Sequence, residues 1–284
     1  MLPCGEVLLP KPTMVARQGT RSADMLRECC LWERQVPYFS AVVPFHNAVG
    51  TLPETLASLC SQTEPHWEAL LIDDASTDGS VDIAADAARQ DPRLRLIHDP
   101  RQGSRPRGVA ASRNLGIAAA QGNYVALLDA DDRWLPEKLA RQRHAFERGA
   151  DIVFTAYRRI DMRGQCLGAV PVRPRVTWHD ALSGNPIGCL TGAWRRARFP
   201  HARMPVRDIH EDYAFWLMLL RSGVVAHGLT DVLAEYRVRP GSASADKLHA
   251  ARAVWNILGD EGLPWHRRGI NFMRYVSGAV VRRL

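Results

Sequence analysis

From residue 38 onward, apolar positions along the chain fall into short blocks of two alternating kinds. Tyr38–Pro44, Glu68–Asp73, Leu94–His98, Tyr124–Leu128 and Ile152–Tyr157 are largely continuous apolar runs of strand length. Between them the spacing changes. Leu52–Gln62 repeats Leu52, Leu56 and Leu59 at helical intervals, and Ser80–Arg89 follows the turn signal Ser76-Thr77-Asp78-Gly79. Gly108–Ala120 reads as a helix, as does Pro136–Arg148 with Pro in its first turn. Strands alternating with helices of this length predict βαβ units, hence an α/β, Rossmann-like, mainly parallel central sheet flanked by helices. Such sheets bind ligands at the carboxyl ends of their strands, so chemistry is expected just after each run.

Beyond residue 160 the rhythm loosens. Gly164 marks a turn, Val176–Leu182 a short helix and Ile187–Trp194 a strand. Glu211–Arg221 is a strongly apolar helix closed by Gly223, Val232–Val238 a strand, Lys247–Leu258 a helix and Pro264–Arg283 a basic helix. Residues 1–36 show weak periodicity and read as a loosely ordered extension, within which Met14 and Met25 stand as alternative starts. The predicted organisation is an extension (1–36), a main domain (37–246) split near residue 160, and a helical extension (247–284).

The strand ends carry the candidate chemistry. The first run closes on Pro44-Phe45-His46-Asn47, the second on Asp73-Asp74, and the fourth leads to Asp129-Ala130-Asp131-Asp132. Asp129 and Asp131, two apart on an extended tip, project to one side. Two hard oxygen donors there suit Mg²⁺ or Mn²⁺ completed by substrate phosphates, while a solvated turn before a helix is the plainer reading of D-x-D alone. Asp73 and Asp74 read either as turn and cap residues or as acceptors for a base or ribose. Gly103–Asn114 brings Arg105, Arg107 and Arg113 to a helix start. There a diphosphate can be held, although Arg105 and Arg107 read more simply as solvated.

Taken together, V-P-F-H-N-A, L-I-D-D-A-S-T-D-G-S, A-S-R-N-L-G and L-D-A-D-D-R-W-L-P-E-K-L resemble the family 2 glycosyltransferases in order and spacing. The resemblance runs from about Tyr38 to Ser244 and includes His210-Glu211-Asp212-Tyr213, similar to that family's E-D motif, and Tyr236–Ser242, similar to its closing segment. It implies the GT-A fold, a nucleotide diphosphate sugar as donor with a UDP-sugar favoured, and inversion at the anomeric carbon. Carried over by position, Pro44, Asp73, Asp74, Arg113 and Asp129 line the donor nucleotide site, and Asp129 and Asp131 hold Mn²⁺ or Mg²⁺. Asp212 becomes the general base, and residues 161–246 shape the site for a saccharide or lipid-linked saccharide acceptor. Two rival classes remain, a sugar nucleotidyltransferase and a non-catalytic nucleotide-sugar-binding scaffold.

Charge refines this picture. The formal net charge is +7, but residues 1–36 and 37–261 carry +1 each, whereas 262–284 hold five Arg and no acid. A near-neutral body does not suggest a nucleic-acid partner. The basic terminus, interleaved with Trp265, Ile270, Phe272 and Met273, suggests either a helix resting on anionic lipid or one packed on the domain. Six scattered cysteines without C-x-x-C spacing suit a reducing cytosol. The longest apolar stretch, Ala214–Leu220, is far short of a membrane span. The expected location is therefore cytoplasmic, with contact to the cytoplasmic face of a membrane left open.

Overall fold

A computed structural model describes residues 36–98, 105–239 and 247–281. All but the last residue of the expected extension 1–36 lies outside the described residues, as do Gly241-Ser242 and Arg282-Arg283. The strands are β1 (Phe39–Phe45), β2 (Trp67–Asp73), β3 (Leu94–Ile97), β4 (Tyr124–Leu127), β5 (Arg133–Trp134), β6 (Ile152–Ile160), β7 (Cys166–Val170), β8 (Arg175–Val176), β9 (Ala193–Arg195) and β10 (Ala226–Arg237). The helices are α1 (Leu52–Cys60), α2 (Ser80–Gln90), α3 (Val109–Ala119), α4 (Lys138–Glu147), α5 (Trp178–Ala181), α6 (Glu211–Leu220), α7 (Lys247–Asp260) and α8 (Trp265–Val281).

One sheet runs in the order β3-β2-β1-β4-β9-β6-β10-β5, with β7 on β6 and β8 on β10. β1 to β4 are mutually parallel and so are β6 and β10, while β9 runs antiparallel between β4 and β6. The sheet is mainly parallel, as the alternating pattern requires. β1, β2 and β4 are buried on both faces, which is why they read as continuous apolar runs. Along β1, Ala41 and Val43 pack into one core and Val42 into the other. α1 seals the first core with Leu52, Leu56 and Leu59. α3 closes on the second, and Gly116 permits the close approach: a Cβ there would lie 2.5 Å from Val42 Cγ1.

α6 is enclosed almost all round, its Trp216 edge-on to Trp194 with ring centroids 5.9 Å apart. Gly192 makes room for it, since a Cβ at that position would lie 2.4 Å from Trp216 Cζ2. The expected strand Ile187–Trp194 is therefore corrected. Cys189–Thr191 forms a 3₁₀ turn and only Ala193–Arg195 is strand, because this segment bends beneath α6 instead of extending along the sheet. β7 and β8 were not expected, and β10 begins six residues before the expected strand. Val254, Ile257 and Leu258 of α7 join the same core as Trp194 and Trp216, and Phe272 and Tyr275 of α8 pack against it.

Candidate active site

Register places the strand tips together. Val42 pairs with Leu70 on one side and Leu127 on the other, so Pro44, Asp73 and Asp129 all emerge on one edge of the sheet. Among the described residues, Asn47, Ala75 and His210 are the non-glycine residues with left-handed backbone, at φ 48°, 61° and 59°. Two turn the chain sharply behind β1 and β2, and the third does so immediately before Glu211. Strain of this kind persists where surrounding contacts fix it. Here Asn47 Oδ1 accepts from Thr77 N at 2.8 Å, Ser76 Oγ accepts from Asn47 N, and Asp78 Oδ2 accepts from Val49 N.

The carboxylates at the tip of β2 are tightly engaged. Asp73 Oδ1 accepts from Ser76 N at 3.0 Å. Asp74 is buried, its two oxygens accepting from Arg107 N at 2.8 Å and Gly108 N at 2.9 Å. Asp74 thereby clasps the chain that enters α3, and α3 carries Arg113. Pro44 is buried in β1 opposite Ile72.

Arg113 is 3% exposed and joins two motifs distant in sequence. Its Nη2 donates to Asp129 Oδ1 at 2.5 Å and its Nη1 to Glu211 Oε1 at 2.7 Å. Burial opposes its charge, but the flanking carboxylates outweigh that and hold its pKa well above the usual arginine value. The loop after β4 is equally fixed. Thr51 Oγ1 and Thr55 Oγ1 donate to the carbonyls of Ala130 and Asp132. Buried Arg237 gives its backbone N–H to Asp132 Oδ1 and its Nε to the carbonyl of Asp131, while its Nη2 pairs with Glu54 at 2.5 Å. Arg239 Nε lies 2.7 Å from Asp131 Oδ2.

A cleft of about 350 Å³ gathers Arg113, Asp129, Asp132, Glu211 and Asp212, with Cys189, Tyr157 and Tyr236 on its walls. Pro44, Asp73 and Asp74 are not on that wall but on the neighbouring strand tips. Asp212 stands at the N-terminus of α6, and its Oδ2 accepts from Asn185 Nδ2 at 2.9 Å. Loss of solvent, reinforced by the charge of Glu211, pushes its pKa up to about 6, with Arg113 pulling the other way. Asn185 is in turn pinned by Ile187 N donating to its Oδ1 at 3.2 Å. Sequence reasoning missed Asn185, whose only local signal is the Asn185-Pro186 turn dipeptide, and it passed over Arg237 inside a motif it had noticed.

The tip after β4 fits a divalent cation. Burial and then Asp129 raise the pKa of Asp131, and burial and then Asp131 raise that of Asp132 well above the usual carboxylate range. Asp132 Oδ2 is buried without a hydrogen-bond partner. Crowded hard oxygens of this kind are relieved by a cation. Among the described residues no cluster of three or more His, Cys, Asp or Glu is placed to hold a metal ion, and Asp129 and Asp131 are paired with Arg113 and Arg239.

Residues 40–168 match the model of Glycosyl transferase family 2. The putative teichuronic acid biosynthesis glycosyltransferase TuaG of Bacillus subtilis (strain 168) is 35% identical over 251 residues, covering 87% of this chain and 98% of that protein. The chain belongs to glycosyl transferase family 2. This glycosyltransferase is also 30% identical over 245 residues to WfaP of Escherichia coli, a UDP-Glc:alpha-D-GlcNAc-diphosphoundecaprenol beta-1,3-glucosyltransferase, covering 86% of the chain and 94% of that protein. Among solved structures it resembles S. aureus TarS 1–349 in complex with UDP-GlcNAc, with a TM-score of 0.63 at 20% identity over 84% of this chain and 71% of that one. The mannosyltransferase PcManGT of Pyrobaculum calidifontis, in complex with GDP-Man and Mn²⁺, gives 0.62 at 19% identity, with the same coverages. The two structures share the fold, and the GT-A expectation holds.

Proposed function

We propose that this glycosyltransferase moves a sugar from a UDP-sugar to an acceptor hydroxyl by a single inverting displacement, with Asp212 as general base. The observation that carries this reading is the Asp129–Arg113–Glu211 bridge, which fixes the donor-side tip after β4 against the start of α6 within one cleft. Asp212 holds its proton weakly enough to be ionised at neutral pH, yet its raised pKa makes it a better acceptor than an exposed carboxylate. Asn185 donates to its Oδ2 and so restrains the carboxyl group. Attack by that hydroxyl as Asp212 takes its proton, from the face opposite the leaving diphosphate, inverts the anomeric carbon. Holding the two reactants in line is the fold's main contribution.

Asp129 and Asp131 would hold Mn²⁺ or Mg²⁺, which when bound offsets the charge growing on the diphosphate. The UDP preference is supported by the donor in WfaP's name and by the UDP-GlcNAc complex of TarS. A saccharide or lipid-linked saccharide acceptor, and work at the cytoplasmic face of a membrane, are supported by the relatives' names in teichuronic acid and diphosphoundecaprenol-linked assembly. The test is to incubate the protein with UDP-hexoses, Mn²⁺ and saccharide acceptors, measuring UDP release and the anomeric configuration of the product by NMR. UDP release with an inverted product is expected. A retained configuration would overturn the assignment of Asp212.

A further inference from the structure

α8 has two faces, and among the described residues only one is used by the fold. Asn271 is buried and Phe272 and Tyr275 pack on the core, whereas Trp265 is 83% exposed, Met273 65% and Ile270 53%. At 100° per residue, Trp265, Ile270, Met273 and Val276 fall in one arc that points away from the domain. Trp255 of α7 extends that arc into a shallow apolar groove with Gly269. Arg267 and Arg274 lie on one flank of the arc, on a segment with no acidic residue from 262 to 284. The acids just before it are already committed: Asp260 pairs with Arg207 and Glu261 with Arg221. Among the described residues no acid pairs with Arg267 or Arg274, so their positive charge is not offset there.

We infer that this face is a docking surface for an anionic lipid bilayer, lying parallel to the membrane with its tryptophan and aliphatic side chains in the interface and Arg267 and Arg274 on phosphate headgroups. Charge decides between lipid and a second copy of the chain. Symmetric pairing through this arc would set each copy's arginines against the other's, whereas lipid phosphates complement them. The placement has a functional sense. On its buried side α8 seats on the loop holding Asn185: Ser183 Oγ donates to Asn271 Oδ1 at 3.4 Å, and Gly184 lies against the Tyr275 ring. One residue further on, Asn185 holds Asp212. The docked helix would thus also be the one that braces the loop holding the proposed base, although the docking surface itself does not depend on which sugar is transferred.

The test is flotation of the full chain with vesicles of phosphatidylglycerol and phosphatidylethanolamine, and separately of phosphatidylcholine, across a salt series. Capture by the anionic vesicles alone, weakening with salt, is expected. The exposed-face variant Trp265→Ser/Ile270→Ser/Met273→Ser should lower the bound fraction by about tenfold, and Arg267→Glu/Arg274→Glu should abolish the anionic preference. Both variants should keep the wild-type melting temperature and the rate of UDP release with a soluble acceptor. If the triple variant misfolds, quenching of wild-type fluorescence by dibrominated phosphatidylglycerol, reduced in Trp265→Phe, reads the same contact; quenching unchanged in Trp265→Phe counts against it. Undiminished capture of the triple variant overturns the proposal. So does a dimer in sedimentation that the triple variant breaks while wild type ignores vesicles.

Discussion

The two sides of the cleft are held in different ways. On the side proposed to bind the donor, the tips of β1, β2 and β4 are bound by many hydrogen bonds between backbone and side chain. Both Asp74 oxygens, Asn47, Asp78, Thr51, Thr55 and Arg237 each fix a neighbouring turn. On the side of the proposed base, Asp212 accepts from Asn185, Glu211 accepts from Arg113, and the loop holding Asn185, pinned by Ile187 N, leans on α8 through Ser183 at 3.4 Å. A diphosphate is the same object in every nucleotide sugar and rewards a rigid cradle. An acceptor differs from enzyme to enzyme, and a side held by few bonds can be rebuilt without disturbing the cradle.

The largest expected effect falls on the base side. Asp212→Asn should lower kcat by about 10³-fold or more while leaving donor KM unchanged, as steady-state kinetics will show. The same change should stabilise the fold. Because the folded state raises the Asp212 pKa to about 6, it binds the proton more tightly than the unfolded chain. Stability is therefore lost as pH rises from about 4 through 6, and at pH 7 the uncharged Asn should recover about 1–2 kcal/mol, measurable by denaturant titration. If donor binding falls along with turnover, the two sides are not separate.

Next comes the donor clasp. Asp74→Ala leaves two backbone N–H groups without their carboxylate and should cost about 2–3 kcal/mol, with a larger rise in donor KM than fall in kcat. Asp74→Asn keeps one acceptor oxygen and should cost less. A smaller effect is expected of Asn185→Ala: kcat down about tenfold, donor KM unchanged, and the acid limb of the pH–rate profile moved above its wild-type position near 6, because a donor to the ionised carboxylate has gone. An unmoved acid limb would reduce Asn185 to a packing residue. Smallest of all, Ser183→Ala should raise acceptor KM by about twofold or less, since its hydrogen bond is long.

How much of this was readable in the sequence follows the same division. β1, β2 and β4 were legible as apolar runs buried on both faces, and the helices between them by their spacing and the turn chemistry that bounds them. The grouping of Arg113 with Asp129 and Glu211 was visible only as three motifs, since nothing local shows that one guanidinium binds two of them. Between β6 and α6 legibility fell. β7 is largely exposed and carries no clean alternation, β9 has three residues, and Ile187–Trp194 has strand-like composition but bends under Trp216. Asn185 reaches Asp212 across 27 residues, a tertiary fact that no spacing rule contains.

The clasp at Asp74 has one more consequence. Because both its oxygens grip the chain at Arg107 and Gly108, the position of α3 is set from β2 and not by whatever stretch links β3 to Arg107. Insertions or deletions in that stretch would change the closure entropy of the loop only slowly with its length and leave Arg113 where it is. Variation in the length of that stretch therefore leaves the Asp129–Arg113–Glu211 bridge in register.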